Sequence, residues 1–322
     1  MTKSFQLTPY PRPRNLRIIA NPASGNGGLD LYPLNKLFRE HDIPWDLHLT
    51  HAEGDGALLA RGLVAAGADV IAVYGGDGTV KDVAAGLTGT DIPLLIIPGG
   101  TGNLVANELG ISRDPIAAAA LVTGPMIQTR LIDVGMMSGT HFLLRAGCGV
   151  EASVLRDVNP EMKKQFGKWA YIIAAVKSLQ EVPSVHFRIT IDDELVISGS
   201  GVGCTIANAG MVGIGGLSLS PGIGIDDGKL DVVFLRKADI EGILSLAAVM
   251  VGVNETLNDV TGLDASHLVG RWQARKVTIE TDPILEMQAD GDLAGCSPQS
   301  VEILPASLRV VVPDHPAHAA AG

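Results

Sequence analysis

The sequence predicts a two-domain α/β fold, a doubly wound parallel sheet followed by an antiparallel β domain. Three observations carry that prediction. Between residues 16 and 98, short apolar runs alternate with helical patterns, as in βα units. Beyond about residue 130 the texture changes to short, turn-bounded, often alternating strands. A chain of 322 residues is also long enough for two ordinary cores.

LRIIANP (16–22) reads as a strand ending in a Gly-rich turn, followed by a helix through Leu31, Leu34, Leu37 and Phe38. WDLHLT (45–50) alternates like a strand and leads into the helical GDGALLARGLVAAG (54–67). VIAVY (70–74) and PLLIIP (93–98) are unbroken apolar strands, with helix-compatible VKDVAAGL between them. Strands apolar on both faces belong in a parallel sheet covered on both sides. The later segments HFLLRAGCGVEASV, HFRITIDDELVISG, GVGCTIAN, KLDVVFLR, KVTIET and SLRVVVP read as antiparallel strands. One helix, EMKKQFGKWAYIIAAVKSL (161–179), interrupts them. The expected division is residues 1–130 for the α/β domain and 131–305 for the β domain, with a C-terminal tail from about 306 to 322 returning to the first.

Hydrophobic residues make up 46% of the chain and charged residues 18%, which excludes a disordered polypeptide. The net charge of −11 argues against nucleic acid as a partner, because an acidic surface is repelled by phosphate backbones. The three cysteines, Cys148, Cys204 and Cys296, are far apart and lack metal-ligand spacing, which suits a reduced compartment. The N-terminal MTKSFQLTPYPRPRNLR has no apolar core of the signal-peptide kind, and ILSLAAVMVGV (243–253) is too short to span a bilayer. The expectation is a soluble, cytoplasmic protein.

In doubly wound sheets, ligands sit beyond the carboxyl ends of the strands. Here those ends carry NPASGNGG, THAEGDG, GGDGT and PGGTGN. Glycines at Gly75, Gly76 and Gly78 permit close backbone approach, so that amide N–H groups can face an anion, and a helix starting at Thr79 would add its dipole. Asp77 would repel a bare phosphate. It makes sense if Mg²⁺ lies between carboxylate and phosphate, or if it takes a proton from an attacking hydroxyl; a strand-ending Asx turn is the alternative. Asn21-Pro22-Ala23-Ser24-Gly25 and Pro98-Gly99-Gly100-Thr101-Gly102-Asn103, with Thr101 placed at a helix start, add two more such loops. Together the loops point to a nucleotide site. There is neither a GxxxxGK[ST] loop nor a strict GxGxxG.

NPASG, GGDGT and PGGTGN in that order, followed by IANAGMVGIGGLSLSPGIGIDDGKLDVVF and QADGD, resemble the diacylglycerol kinase catalytic-domain family, which includes soluble bacterial lipid kinases and sphingosine kinases. The likeness spans about residues 16–312. It implies a phosphofructokinase-like nucleotide-binding domain, a β-sandwich domain and a lipid-accommodating cleft between them. The implied reaction moves the γ-phosphoryl group of ATP to the hydroxyl of diacylglycerol or a similar lipid alcohol, with Mg²⁺.

By the same resemblance, Asn21, Pro22, Ala23, Ser24, Gly25, Thr50, Gly75, Gly76, Asp77, Gly78, Thr79 and Thr101 would contact the nucleotide. Asp227, with carbonyls of Gly224 and Lys229, would hold a structural Mg²⁺; an Asp-Gly hairpin is the bland alternative there. Asp290-Gly291-Asp292 matches the family's DGE, whose third residue is the proton acceptor and whose first acid lies close to the phosphates. Asp292 is one methylene shorter than that Glu, so Asp77 or Asp290 could share the role. Lys81-Asp82 stands where the family has Asn-Glu, with Lys81 read as facing solvent. Arg145 stands in place of a small polar residue, facing either the cleft or an outer sheet face. The 161–179 helix, with Trp169, Ile172, Ile173, Val176 and Leu179 at helical spacing and four lysines supplying positive charge, either docks on a membrane at its inner face or packs on the β domain. Two rival readings remain: an NAD kinase-like small-molecule kinase, and a non-catalytic nucleotide- or lipid-binding regulator. The acceptor and the oligomeric state, a homodimer included, stay open.

Overall fold

The computed structural model describes residues 6–24, 28–149, 183–210, 223–236 and 269–314. The chain divides into two compact units, Met1–Val134 with Leu304–Gly322, and Gly135–Ile303. The 161–179 helix and the 243–253 stretch lie outside the described residues. Among the described residues, no helix is long and apolar enough to cross a membrane.

In the first unit, β2 (Leu16–Ala20), β3 (Trp45–Leu49), β4 (Val70–Gly75) and β5 (Leu94–Pro98) form a parallel sheet in the order β3-β2-β4-β5. The last part of β16 (Gln299–Val311) extends it beyond β5, with Val310 opposite Leu94. Position explains pattern. β4 and β5 are flanked on both edges and covered on both faces, and every one of their residues is buried. β3 lies at the edge and keeps an alternating, half-exposed sequence.

Helices α1 (Leu31–Glu40), α2 (Asp55–Ala65) and α3 (Asp77–Leu87) link these strands, and α4 (Leu104–Glu108) and α5 (Pro115–Ala119) follow β5. The Asp30 side chain caps α1 by accepting from the Tyr32 N–H. Leu34 and Phe38 of α1 join Leu16, Ile18, Val70, Ala72, Leu95 and Ile97 in one core. Phe38 meets Trp45 with ring centroids 5.7 Å apart. An additional strand, β1 (Thr8–Pro11), runs antiparallel to β6 (Met126–Met137), with Thr8 opposite Thr129. Its sequence TPYP carries two prolines. A strand paired along one side only tolerates them.

The second unit is antiparallel throughout its described pairings. β7 (Thr140–Phe142) pairs with the end of β6. β10 (Leu195–Ala207) is shared between partners. Its first half pairs with β9 (Val185–Ile191), and its second half pairs with β8 (Arg145–Gly149) and β11 (Leu230–Arg236), with a register shift between Gly201 and Gly203. β12 (Val269–Ala274) continues from β11, β13 (Lys276–Asp282) bridges β9 to β16, and the hairpin β14 (Glu286–Ala289) with β15 (Asp292–Cys296) adds to β8. The core is built on Phe142, Phe187, Ile189, Ile206 and Phe234, and the Phe187 and Phe234 rings lie 5.2 Å apart.

Cys148 and Cys204 face each other on β8 and β10, both buried, whereas Cys296 is exposed. Burial, and then the neighbouring Cys148, push the Cys204 thiol well above its usual pKa. Asp231 is a carboxylate buried in this unit, 1% exposed, and Arg271 donates to its Oδ1 through Nε (2.9 Å) and Nη2 (2.7 Å).

A buried charge that loses its partner is costly. Arg271→Met is therefore expected to destabilise the protein by about 3–5 kcal/mol, and adding Asp231→Leu should recover most of that loss. Urea unfolding midpoints of the two variants check this.

Candidate functional site

In the first unit, β3 and β4 lie on opposite sides of β2, so the strand order reverses between β2 and β4. Such a switch point opens a crevice at the carboxyl ends of the strands. The loop after β2 and the loop after β4 flank it. Asn21 ties them: its N–H donates to the Tyr74 carbonyl (3.0 Å), its Nδ2 donates to the Thr79 hydroxyl (3.1 Å), and its Oδ1 accepts from the Ala23 N–H (2.9 Å). Pro22 and Ala23 are exposed on this turn and Ser24 is half-buried; Gly25 lies outside the described residues.

The loop after β3 is held by acids from two helices. Thr50 is nearly buried and donates its N–H to Ala20 (3.0 Å). Asp55 Oδ2 accepts from the His51 and Ala52 N–H groups, both at 2.8 Å. These two backbone bonds hold the Asp55 pKa below its ordinary value of 3.8. Asp82 Oδ2 accepts from the Gly54 N–H at 3.0 Å. Asp82 thus joins α3 to the β3 loop, and the adjacent Lys81 is half-buried.

Helix α3 begins at Asp77, with Gly76 at its N-cap in an extended conformation and without a side-chain cap. The sequence placed this start at Thr79. It comes two residues earlier because Gly76 is already extended and an aspartate suits the positive end of the helix dipole. A glycine-capped N-terminus, with no side-chain acceptor of its own, is the arrangement in which backbone N–H groups and the dipole favour an anion.

Asp77 also reaches to the loop after β5. Its Oδ1 accepts from the N–H of Leu104 (2.6 Å) and of Val105 (3.3 Å). It therefore serves as acceptor for the first turn of α4, whose own N-cap, Asn103, makes no side-chain bond into the helix. Asn103 instead closes the glycine loop, with Oδ1 accepting from the Gly100 N–H (2.9 Å) and Nδ2 donating to the Gly100 carbonyl (2.7 Å). Thr101, expected at the helix start, lies three residues before it, exposed on the loop. The backbones of the two loops nearly touch. A Cβ on Gly100 would lie 2.5 Å from the Gly76 Cα, and one on Gly102 would lie 2.9 Å from Asp77 Oδ2.

In the second unit, the starts of β8 and β11 and the ends of β10 and β14 meet at one edge. Ala207 is opposite both Arg145 and Asp231, and Ala146 is opposite Ala289. The turn 224–229 enters this edge at β11, where Asp227 Oδ1 accepts from the Lys229 N–H (3.1 Å) and Gly224 and Asp226 are half-buried. Asp290 and Gly291 form the two-residue loop of the β14–β15 hairpin, and Asp292, exposed, is opposite Ala289. Asp290 Oδ2 accepts from the Leu143 N–H (2.7 Å), and its Oδ1 accepts from Leu144 and Arg145 (both 2.9 Å).

Three polar residues that the sequence reading left without a role shape these loops: Asn103, Asp82 and Asn208. Asn208 is fully buried and donates Nδ2 to the Leu143 carbonyl at 2.8 Å. Its signal was legible: a polar residue directly after the apolar run GVGCTIA.

Residues 15–137 match the family described as the diacylglycerol kinase catalytic domain, and residues 145–312 match the YegS C-terminal NAD kinase beta sandwich-like domain. The chain is 31% identical over 268 residues to a diacylglycerol kinase of Mycobacterium tuberculosis, covering 81% of this chain and 82% of that protein. It is 28% identical over 306 residues to a diacylglycerol kinase of Bacillus subtilis, covering 93% and 97%. A probable YegS-like lipid kinase of Pseudomonas fluorescens is 31% identical over 283 residues, covering 84% and 87%. The fold is similar to a crystal structure of a diacylglycerol kinase from Bacillus anthracis, with a TM-score of 0.69 at 24% identity over 95% of this chain and 99% of that one.

Two outcomes follow from the loop geometry. Gly100→Ala should force the two glycine loops apart and cost about 1–3 kcal/mol, read from urea unfolding. Asp55 has a lowered folded pKa, so its contribution is present above the ordinary value of 3.8 and lost as pH falls through the folded value. Asp55→Asn should therefore lose stability less steeply than the wild type below that pH, measured as unfolding midpoints across an acid series.

Proposed function

Because the chain belongs to the diacylglycerol kinase catalytic-domain family, we propose that it transfers the γ-phosphoryl group of ATP to the hydroxyl of diacylglycerol or a similar lipid alcohol. Membership makes it a kinase-type enzyme of a lipid-kinase family. The observation that carries the finer reading is the glycine-capped N-terminus of α3 at the switch point, braced by Asn21 on one side and by the Asp77–Leu104 bond on the other.

Phosphoryl transfer asks little covalent work of a protein; rate comes from alignment and charge neutralisation. In this reading Gly75, Gly76, Gly78 and Thr79 offer backbone N–H groups to the triphosphate. Asn21, Pro22, Ala23 and Ser24 line the neighbouring turn, with Thr50 and Thr101 on the flanking loops. Asp77 keeps the β4 and β5 loops at a fixed spacing. Asp292 accepts the proton of the acceptor hydroxyl, a step worth about 10²–10⁴ in rate.

The turn 224–229 suits a hard cation in its chemistry, with the Asp227 carboxylate and the carbonyls of Gly224 and Lys229 as an all-oxygen donor set. Among the described residues no three His, Cys, Asp or Glu side chains form a metal cluster, so carbonyls and water would supply most ligands. Mg²⁺ bound with ATP supplies charge neutralisation on the phosphates. A lipid acceptor places the work at a membrane surface, reached from the cytoplasm.

A second reading, transfer to a nucleotide hydroxyl, is favoured by the NAD kinase-like description of residues 145–312. Incubation with γ-labelled ATP and either a total lipid extract or NAD separates the two. Label in the organic phase, identified by mass as a phospholipid, is the expected result; label on NAD alone, or none, overturns the lipid reading. Asp292→Asn should lower kcat about 10²–10⁴-fold with ATP affinity unchanged. Asn21→Ala should instead raise the KM for ATP several-fold, since the Thr79 hydroxyl loses its donor.

A further inference from the structure

The backbone of Leu143, Leu144 and Arg145, leading from β7 into the first residue of β8, is completely satisfied by two side chains and their backbone neighbours. Its three N–H groups donate to the Asp290 carboxylate. Its carbonyls accept from Asn208 Nδ2 (Leu143, 2.8 Å), from the Asn208 and Ala209 N–H groups (Leu144, 2.8 and 3.1 Å) and from the Asp290 N–H (Arg145, 2.8 Å). Four of these bonds come from two side chains, Asp290 and Asn208, and the rest from the backbone of residues 208, 209 and 290. The same Asp290 is the first residue of the β14–β15 loop. Asp290 (φ 51°) and Gly291 (φ 93°) both have positive φ, the requirement of a type I′ hairpin turn, for which Asp-Gly is a preferred pair. Asp292 follows at once, opposite Ala289.

On the kinase reading above, we infer that Asp290 is a positioning residue, which fixes where Asp292 presents its carboxylate, and is not itself the proton acceptor. Both oxygens of the Asp290 carboxylate already accept backbone amides, and taking up a proton would forfeit those charge-assisted bonds. Proton transfer therefore falls to the residue the turn delivers. The clamp matters more here than for a Glu at that place. Asp292 is one methylene shorter, so it adjusts less by rotamer and depends more on where the backbone sets it. A misplacement of about 1 Å can cost on the order of 100-fold in rate.

The test uses the full chain and the lipid phosphorylation assay, with thermal unfolding checked for each variant. Asp290→Asn puts an NH2 group against at least one of the three donors. It should lower kcat about 10- to 100-fold, leave the KM for ATP within about twofold, and keep the acidic limb of the kcat/KM pH profile where the wild type has it. Asp292→Asn should remove that limb. Asn208→Ala, which loosens the same turn without touching a carboxylate, should reproduce the Asp290→Asn kcat loss. Asp290→Asn combined with Asp292→Glu should recover part of it through the longer reach. Hydrogen exchange at residues 143–145 should quicken in both loosened variants.

Loss of the acidic limb in Asp290→Asn, or wild-type kcat in Asn208→Ala, overturns the inference while leaving the kinase reading in place. A wild type that phosphorylates no alcohol overturns that reading and this one together. Unchanged hydrogen exchange at 143–145 in Asp290→Asn removes the clamp whatever the activity.

Discussion

The hydrogen bond from the Leu104 amide to Asp77 Oδ1 is the constraint on which the first unit's strand tips depend. Two glycine loops meet backbone to backbone there, at a separation that any side chain on Gly100 would abolish. Such proximity gives no hydrophobic gain and holds only if something polar spans it. Asp77 spans it from the first turn of one helix to the first turn of another. The Asn21–Thr79 bond does the same on the far side of α3. The start of α3 is thereby held by hydrogen bonds on two sides.

The second unit repeats the device with different parts. Asp290 and Asn208 grip one stretch of backbone, and Asp192 Oδ1 likewise accepts the amides of Arg275 and Lys276. Among the described residues, carboxylates thus often accept from the main chain. A net charge of −11 makes sense in that light: many acids have backbone donors as partners, and burying or capping them does not demand a matching number of basic residues.

Much of the architecture was legible because burial writes itself into pattern. VIAVY and PLLIIP read as interior strands since both faces are covered, and WDLHLT alternates since it borders the sheet. The family resemblance held over both units. What escaped were features set by tertiary partners. TPYP is a strand only because β6 offers it an edge. VGRWQA pairs with β11 despite a glycine and a weak alternation. The nearest backbone donor to Asp77 and the first of the donors to Asp290 lie 27 and 147 residues away in sequence, so no local motif could assign them. QADGD did carry a local signal, the Asp-Gly of a tight hairpin, which its likeness to a catalytic triplet overshadowed.

The distribution of sulfur has a practical corollary. Two of the three thiols are enclosed between β8 and β10, and one of them resists ionisation, whereas Cys296 stands in the open on the strand that begins at Asp292. A maleimide fluorophore would therefore attach at a single address without any engineering of the chain. Its emission would report on the mobility of that hairpin in real time, independently of turnover.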